Sequence, residues 1–249
     1  MLKLAWFKAL AELRVEAARR YLGVLWWILE PVLYMATFYV IFAMGLRMGG
    51  ENYVAFLLCG LVPWKWFSST LQVGANVIAE NKGLMNQIYF HKSMLVGMLM
   101  IVNFIKALIV FAILFLALLV MGSKPSIHWI AFVPVVLTLF LFIYGTVSVA
   151  ASLVPLLPDL RIIIDNGVLV LFFASGIFFD ISERAPELQT LLFLNPVAIL
   201  LDATRDVLIN NAWPDWGAMS YAFGVGSACL LLGHLLIHRF DQNYAKVVA

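Results

Sequence analysis

The chain has 249 residues, 64% of them hydrophobic and only 12% charged, with a formal net charge of +2 at pH 7. A soluble domain carries roughly 45–50% apolar and 25% charged residues, so this composition excludes a water-soluble globule and makes the bilayer the expected solvent. No basic excess points to a nucleic-acid partner, and the two cysteines, Cys59 and Cys229, lie inside apolar runs without the spacing of a disulfide framework or a metal site.

Taken in order, residues 1–24 read as an amphipathic helix in the cytoplasmic interface plane. Leu2, Trp6, Ala9, Leu13 and Ala17 recur at three and four residues, while Lys3, Lys8, Glu12, Glu16 and Arg19 take the other faces. Six apolar segments then have the length of a crossing: 25–46, 53–77, 95–121, 127–153, 163–179 and 217–237. No secretory cleavage pattern precedes the first, which is expected to stay in the mature protein. At its start Trp26 and Trp27 suit the headgroup level. Glu30, a turn or two further in, must face protein, water or a basic partner such as Arg20, and Pro31 loosens the helix beside it.

The second segment carries Pro63-Trp64-Lys65-Trp66-Phe67 near its middle. A lysine at that depth must snorkel, pair with a carboxylate or line a wet cavity, and Lys106 in the third segment poses the same question. Between the two lies 80–92, Glu-Asn-Lys-Gly-Leu-Met-Asn-Gln-Ile-Tyr-Phe-His-Lys. Here Leu84, Met85, Ile88 and Tyr89 fall at helical spacing, opposite Asn81, Asn86 and Gln87, and form a candidate docking knob for another protein.

Pro155, Pro158, Asp159 and Arg161 make a compact turn after the fourth segment. Before the last segment, residues 181–215 hold two short helices, Pro186 to Leu194 and Val197 to Ile209, broken at Asn195-Pro196. Neither is long enough to cross, so the pair is expected to form a helical hairpin that dips in from outside. Asp202 and Arg205, three apart, are placed to pair on one helical face. A gate over an exit and a packed outer cap both remain open as readings.

Lysine and arginine orient the segments. Ten (Lys3, Lys8, Arg14, Arg19, Arg20, Lys82, Lys92, Arg161, Arg239 and Lys246) fall on the side of the N-terminus, against four (Arg47, Lys124, Arg184 and Arg205) on the other. Both termini are therefore expected in the cytoplasm. No Gly-x-x-x-x-Gly-Lys-Ser/Thr loop occurs, the four histidines suggest no metal site, and nothing resembles a nucleophile with a positioned base. Without a phosphate-cradling loop or a convincing repeat of two halves, a partner ATPase is a better energy source than an ion gradient.

Arg20-Tyr21-Leu22-Gly23, Trp26, Glu30-Pro31, Phe56 to Trp64, Asn81 to Tyr89, Asn195-Pro196 and Arg205 keep an order and spacing that resemble the permease subunits of ABC-type polysaccharide exporters. These move capsular polysaccharide, O-antigen or teichoic acid. The resemblance implies an all-α integral membrane homodimer of six-span permeases. It also implies two ATPase subunits that bind ATP and Mg, with no cofactor or catalytic residue in this chain, and a lipid-linked polysaccharide as cargo in the inner membrane.

It further implies ATPase coupling through Asn81, Leu84, Met85, Ile88 and Tyr89, and a pair of short helices flanking the outer mouth, where Asn195, Pro196, Asp202 and Arg205 are the candidate gate residues. Aromatic faces stack on sugar C–H faces, so Trp26, Trp27, Tyr34, Phe38, Trp64, Trp66 and Phe67, with Lys65, are candidates for a channel of many weak contacts. Many members carry a proline where His91 follows Phe90 here. The alternatives are an ABC exporter of a small lipid or drug and an envelope-assembly enzyme or scaffold.

Overall fold

The computed structural model describes residues 23–38, 40–41, 52–81, 83, 85, 90–241 and 244, apart from the side chains of Val24, Trp27, Ile28, Glu30, Pro31, Met35 and Phe38. The interface helix expected before residue 23, with Arg20, and the knob residues Leu84, Ile88 and Tyr89 lie outside the described residues.

The described residues are helical, with no strand. A 3-10 turn at Gly23–Leu25 leads into α1 (Trp26–Phe38), followed by α2 (Tyr53–Ala75) and a single turn, α3 (Val77–Glu80). Next come α4 (Ser93–Val120), a 3-10 turn at Ile127–Ala131 that runs into α5 (Phe132–Leu153), and α6 (Leu160–Ala174). Two short helices, α7 (Pro186–Leu192) and α8 (Pro196–Leu208), precede the last, α9 (Trp216–Arg239).

Four stretches among the described residues are long and apolar enough to cross a bilayer: Tyr53–Ala75, Ser93–Val120, Ile127–Leu153 and Trp216–Arg239. The other two expected segments differ. Only Trp26–Phe38 of the first is described as helix. The fifth is a helix of 15 residues, Leu160–Ala174, which at 1.5 Å per residue covers roughly 22 Å of a hydrocarbon core of about 30 Å. The apolar run continues to Phe179, but Gly176 takes φ +66, a left-handed conformation that glycine adopts without a Cβ clash and that ends the helix. The irregular backbone beyond it is shielded by protein, with Ile177 and Ile181 0% and 1% exposed.

Helix α2 is the axis of the bundle, touching α1, α4, α5, α6 and α8. Pro63 lies within it and removes the helical bond to the Cys59 carbonyl. The most extensive helix pairing is α5 with α9. Lipid tails are as apolar as leucine, so such a pair is held by close dispersion contact, which needs small side chains. One face of α9 supplies them: Ala222, Gly226, Cys229 and Gly233, with Ile237 closing the row. A Cβ at Gly226 would stand 2.9 Å from the Phe142 Cα, and one at Gly233 would stand 2.5 Å from the Ser148 Cβ.

This packing predicts a position-specific effect. Gly226→Leu and Gly233→Leu should each destabilise by about 1–3 kcal/mol or more through overpacking, read as a lower thermal midpoint of the detergent-purified protein. Gly224→Leu, where an added Cβ meets nothing within 4 Å, should leave the midpoint unchanged.

Candidate functional site: an open pocket with a polar stripe

Helices α1, α2, α4 and α6 line an open pocket of about 560 Å³. Helix periodicity builds its wall: Lys65, Ser68, Ser69 and Gln72 recur at three and four residues and form one polar stripe down α2. Asn103 and Lys106 face it from α4, and Asp165 from α6. Two lysines and an aspartate would be costly against hydrocarbon, and all three line this pocket. The smaller polar groups are tied to their own helices: Ser69 Oγ donates to the Lys65 carbonyl at 2.7 Å and Asn103 Nδ2 to that of Leu99 at 3.1 Å. The Lys65 Nζ sits 4.9 Å from the Tyr34 ring centroid, a cation–π contact.

The aromatic candidates divide. Tyr34, Trp64 and Trp66 line the cavity with Lys65, but the two tryptophans are only 4% and 6% exposed. Trp64 packs on Phe67 and Phe172, and Trp66 on Phe104, Phe111 and Phe140. Phe67 is turned into the core against Phe142. Trp26 is half-buried at the start of α1, and the side chains of Trp27, Phe38 and Glu30 lie outside the described residues. Sequence reasoning passed over Ser68, Ser69, Gln72 and Asn103; the three-and-four spacing from Lys65 was the signal for the α2 members.

The end of the bundle near Tyr53 is organised by Arg205, which is 3% exposed. Its Nη2 donates to the Ile177 carbonyl at 3.0 Å, its Nε to the Phe56 carbonyl at 3.4 Å, and its guanidinium carbon lies 3.6 Å from the Phe56 ring centroid. Gly60 makes the room, since a Cβ there would stand 2.6 Å from Nη2. The expected pairing with Asp202 is thus replaced: among the described residues the two form no salt bridge, because backbone carbonyls hold the guanidinium. Asn195 caps α8 by accepting from the Val197 N–H, and its Nδ2 donates to Ser175 Oγ at 2.8 Å, joining α8 to the end of α6. Pro196 is the first residue of the helix, where its missing N–H costs nothing.

At the opposite end, Lys92 and Asp241 form a nearly buried salt bridge of 3.2 Å, and the Tyr244 hydroxyl donates to the Ser152 carbonyl at 3.0 Å. These contacts fasten the start of α4 and the residues after α9 to the end of α5. Asn81, at the C-cap of α3, donates to the Val77 carbonyl at 2.8 Å, and Met85 is half-buried against the core. His234 and His238 are four apart on α9, but among the described residues no group of three potential ligands gathers for a metal.

Four bilayer-length helices and a pocket lined by Lys65, Lys106 and Asp165 fit a membrane transport subunit. The chain belongs to the ABC-2 type transporter family, whose model matches residues 8–209. It is similar to the O-antigen export system permease protein RfbA of Myxococcus xanthus, at 26% identity over 82% of this chain and 79% of that protein. The protein of the same name from Klebsiella pneumoniae is 23% identical over 95% of this chain and 92% of its own length. The polysialic acid transport protein KpsM of Escherichia coli is 25% identical over 94% and 92%.

Burial raises the Asp202 carboxyl to about 6, and the nearby Asp206 and Asp180 push the same way against Arg205. The folded state then holds this proton more tightly than the unfolded one, so its contribution to stability is full below the ordinary value of 3.8 and is lost as pH rises through about 6. Asp202→Asn should therefore flatten the fall in thermal midpoint between pH 4 and 7 relative to the parent, and identical slopes would refute that assignment.

Proposed function

We propose that the chain is the membrane-spanning subunit of an ATP-driven exporter that carries a lipid-linked polysaccharide of O-antigen or capsule type out of the cytoplasm. The observation that carries the reading is the near end-to-end similarity to O-antigen and polysialic acid export proteins, over 94–95% of this chain for two of them. In this reading each protomer crosses the inner membrane six times, with both termini in the cytoplasm and α7–α8 as the hairpin at the outer mouth. Two copies pair, and two ATPase subunits bind ATP and Mg.

Pairing is supported by α6. Its exposed residues include Asp165 and Asn166 among Ile162, Ile163, Leu169, Val170 and Phe173. Neither polar group is stable against lipid, so a second protomer and a shared aqueous path are the natural cover. The cavity beside them then becomes half of a conduit. Tyr34, Lys65 and Gln72 offer a stacking face, a cation and an amide to hydroxyl-rich sugars, each a weak contact that permits sliding.

The coupling mechanism follows from connectivity. Residues 80–92 join α2 to α4, the two helices whose polar faces meet across the cavity. An ATPase docked on Leu84, Met85, Ile88 and Tyr89 therefore pushes on both walls at once. Asn76 Nδ2 bonds the Gln72 carbonyl at 3.1 Å, which keeps the junction of α2 and α3 stiff enough to transmit the push. Arg205 holds the opposite end of α2 against α8, so the outer hairpin feels the same helix.

Leu84→Asp or Tyr89→Asp should leave the protein inserted and the ATPase active while export of glycan falls about tenfold or more, the size of a typical coupling energy. Labelled glycan accumulating in the cytoplasm is the readout. Loss of membrane insertion instead assigns the segment a structural role, and unchanged glycan export after deletion of the gene points to a small-lipid or drug cargo.

A further inference from the structure

Residues 80–92 join α2 to α4, and their two ends are held differently. At the α2 end the polar bonds are local. Asn76 Nδ2 donates to the Gln72 carbonyl, Asn81 Nδ2 to that of Val77, and the Glu80 N–H to that of Asn76. At the α4 end the tie runs to a distant part of the chain. Lys92, which immediately precedes α4, reaches Asp241, just past the end of α9, at 3.2 Å. The two side chains are only 6% and 13% exposed.

The residues after α9 are themselves fixed. The Tyr244 N–H donates to the Phe240 carbonyl at 3.2 Å, which carries the helical path past the end of α9, and the Tyr244 side chain is buried. Its hydroxyl donates at 3.0 Å to the carbonyl of Ser152, one residue from the end of α5, where carbonyls lack an intrahelical donor. Burial and the nearby Asp241 carboxylate push that hydroxyl up to about 12, so it remains a donor at neutral pH. Lys92 is thus tied, through residues 240–244, to both helices of the α5–α9 pair.

Desolvation offsets most of the attraction in an ion pair this buried, so two apolar side chains would stabilise the fold as well. What such a pair adds is register, because one alignment satisfies both charges. We propose that Asp241 and Tyr244 are positioning residues for energy coupling: they hold Lys92, and with it the first turn of α4, against the α5–α9 pair, so that a displacement entering at residues 80–92 is delivered through α3 to α2. The inference rests on the reading of residues 80–92 as the ATPase-docking segment.

Hydrogen exchange read by mass spectrometry on the full complex with its ATPase, nucleotide-free and trapped with ATP and vanadate, tests this. In the parent, exchange at 77–81 should change on trapping while exchange at 93–97 stays fixed. Asp241→Asn strands a buried lysine and endangers the fold, so the informative variant is the apolar pair Lys92→Met/Asp241→Leu, whose thermal midpoint should match the parent. In that variant exchange at 93–97 should rise about tenfold, and glycan exported per ATP hydrolysed should fall about fivefold or more. The reversed pair Lys92→Asp/Asp241→Lys should restore both, and Tyr244→Phe should give a smaller change of the same kind. Unchanged exchange at 93–97 in the apolar pair, or no restoration by the reversed pair, overturns the proposal. Equal changes at 77–81 and 93–97 on trapping the parent overturn the direction of delivery. Faster exchange with glycan per ATP unaltered makes the contact structural only. The nucleotide-free comparison needs no partner, so a chain that purifies without any ATPase is recognised separately: it overturns the docking reading, and the coupling role falls with it.

Discussion

The guanidinium of Arg205 is the interaction on which the end of the bundle near Tyr53 depends. Buried in a chain that otherwise offers hydrocarbon to its surroundings, it is held by the carbonyls of Phe56 and Ile177 and by the Phe56 ring. Removing one partner of a buried charge costs more than the pair contributes, because the remainder stays desolvated. The arginine thus fastens α8 to α2 and also satisfies an irregular stretch of backbone after α6. Irregular backbone survives at membrane depth only where protein supplies the missing hydrogen bonds. Gly60 is small because this guanidinium needs the space.

From that anchor the rest of the architecture can be followed along α2. Its middle carries the polar stripe of the cavity, and its far end continues through α3 into the segment that leads to α4. The α5–α9 pair forms a rigid backing, sealed by small residues. The Lys92–Asp241 and Tyr244–Ser152 contacts close that backing at the end opposite Arg205. A closely packed half and a half with a polar stripe thus meet along one central helix.

Much of this was legible in the sequence because hydrocarbon imposes length and periodicity. The runs at 53–77, 95–121, 127–153 and 217–237 end within a few residues of the observed helices. Asn195-Pro196 marks a helix start through a cap and a proline, both local chemistry. What was not legible depends on tertiary partners. Apolar Ile177 to Phe179 look like helix until Gly176 turns the chain, and a carbonyl partner for Arg205 leaves no trace in residue type, whereas Asp202 three positions away suggests itself at once. Trp64, Trp66 and Phe67 read as a lining, yet ring-on-ring packing takes most of their surface.

The central claim is that the polar stripe of α2 borders an aqueous path. Single cysteines at Ser69 and Gln72, in a background with Cys59 and Cys229 replaced by alanine, can be exposed in membranes to a charged, membrane-impermeant thiol reagent. The account predicts modification at both positions, with none at a cysteine in place of Leu231 on the lipid-facing side of α9. Protection of 69 and 72 to the same degree as 231 would contradict it.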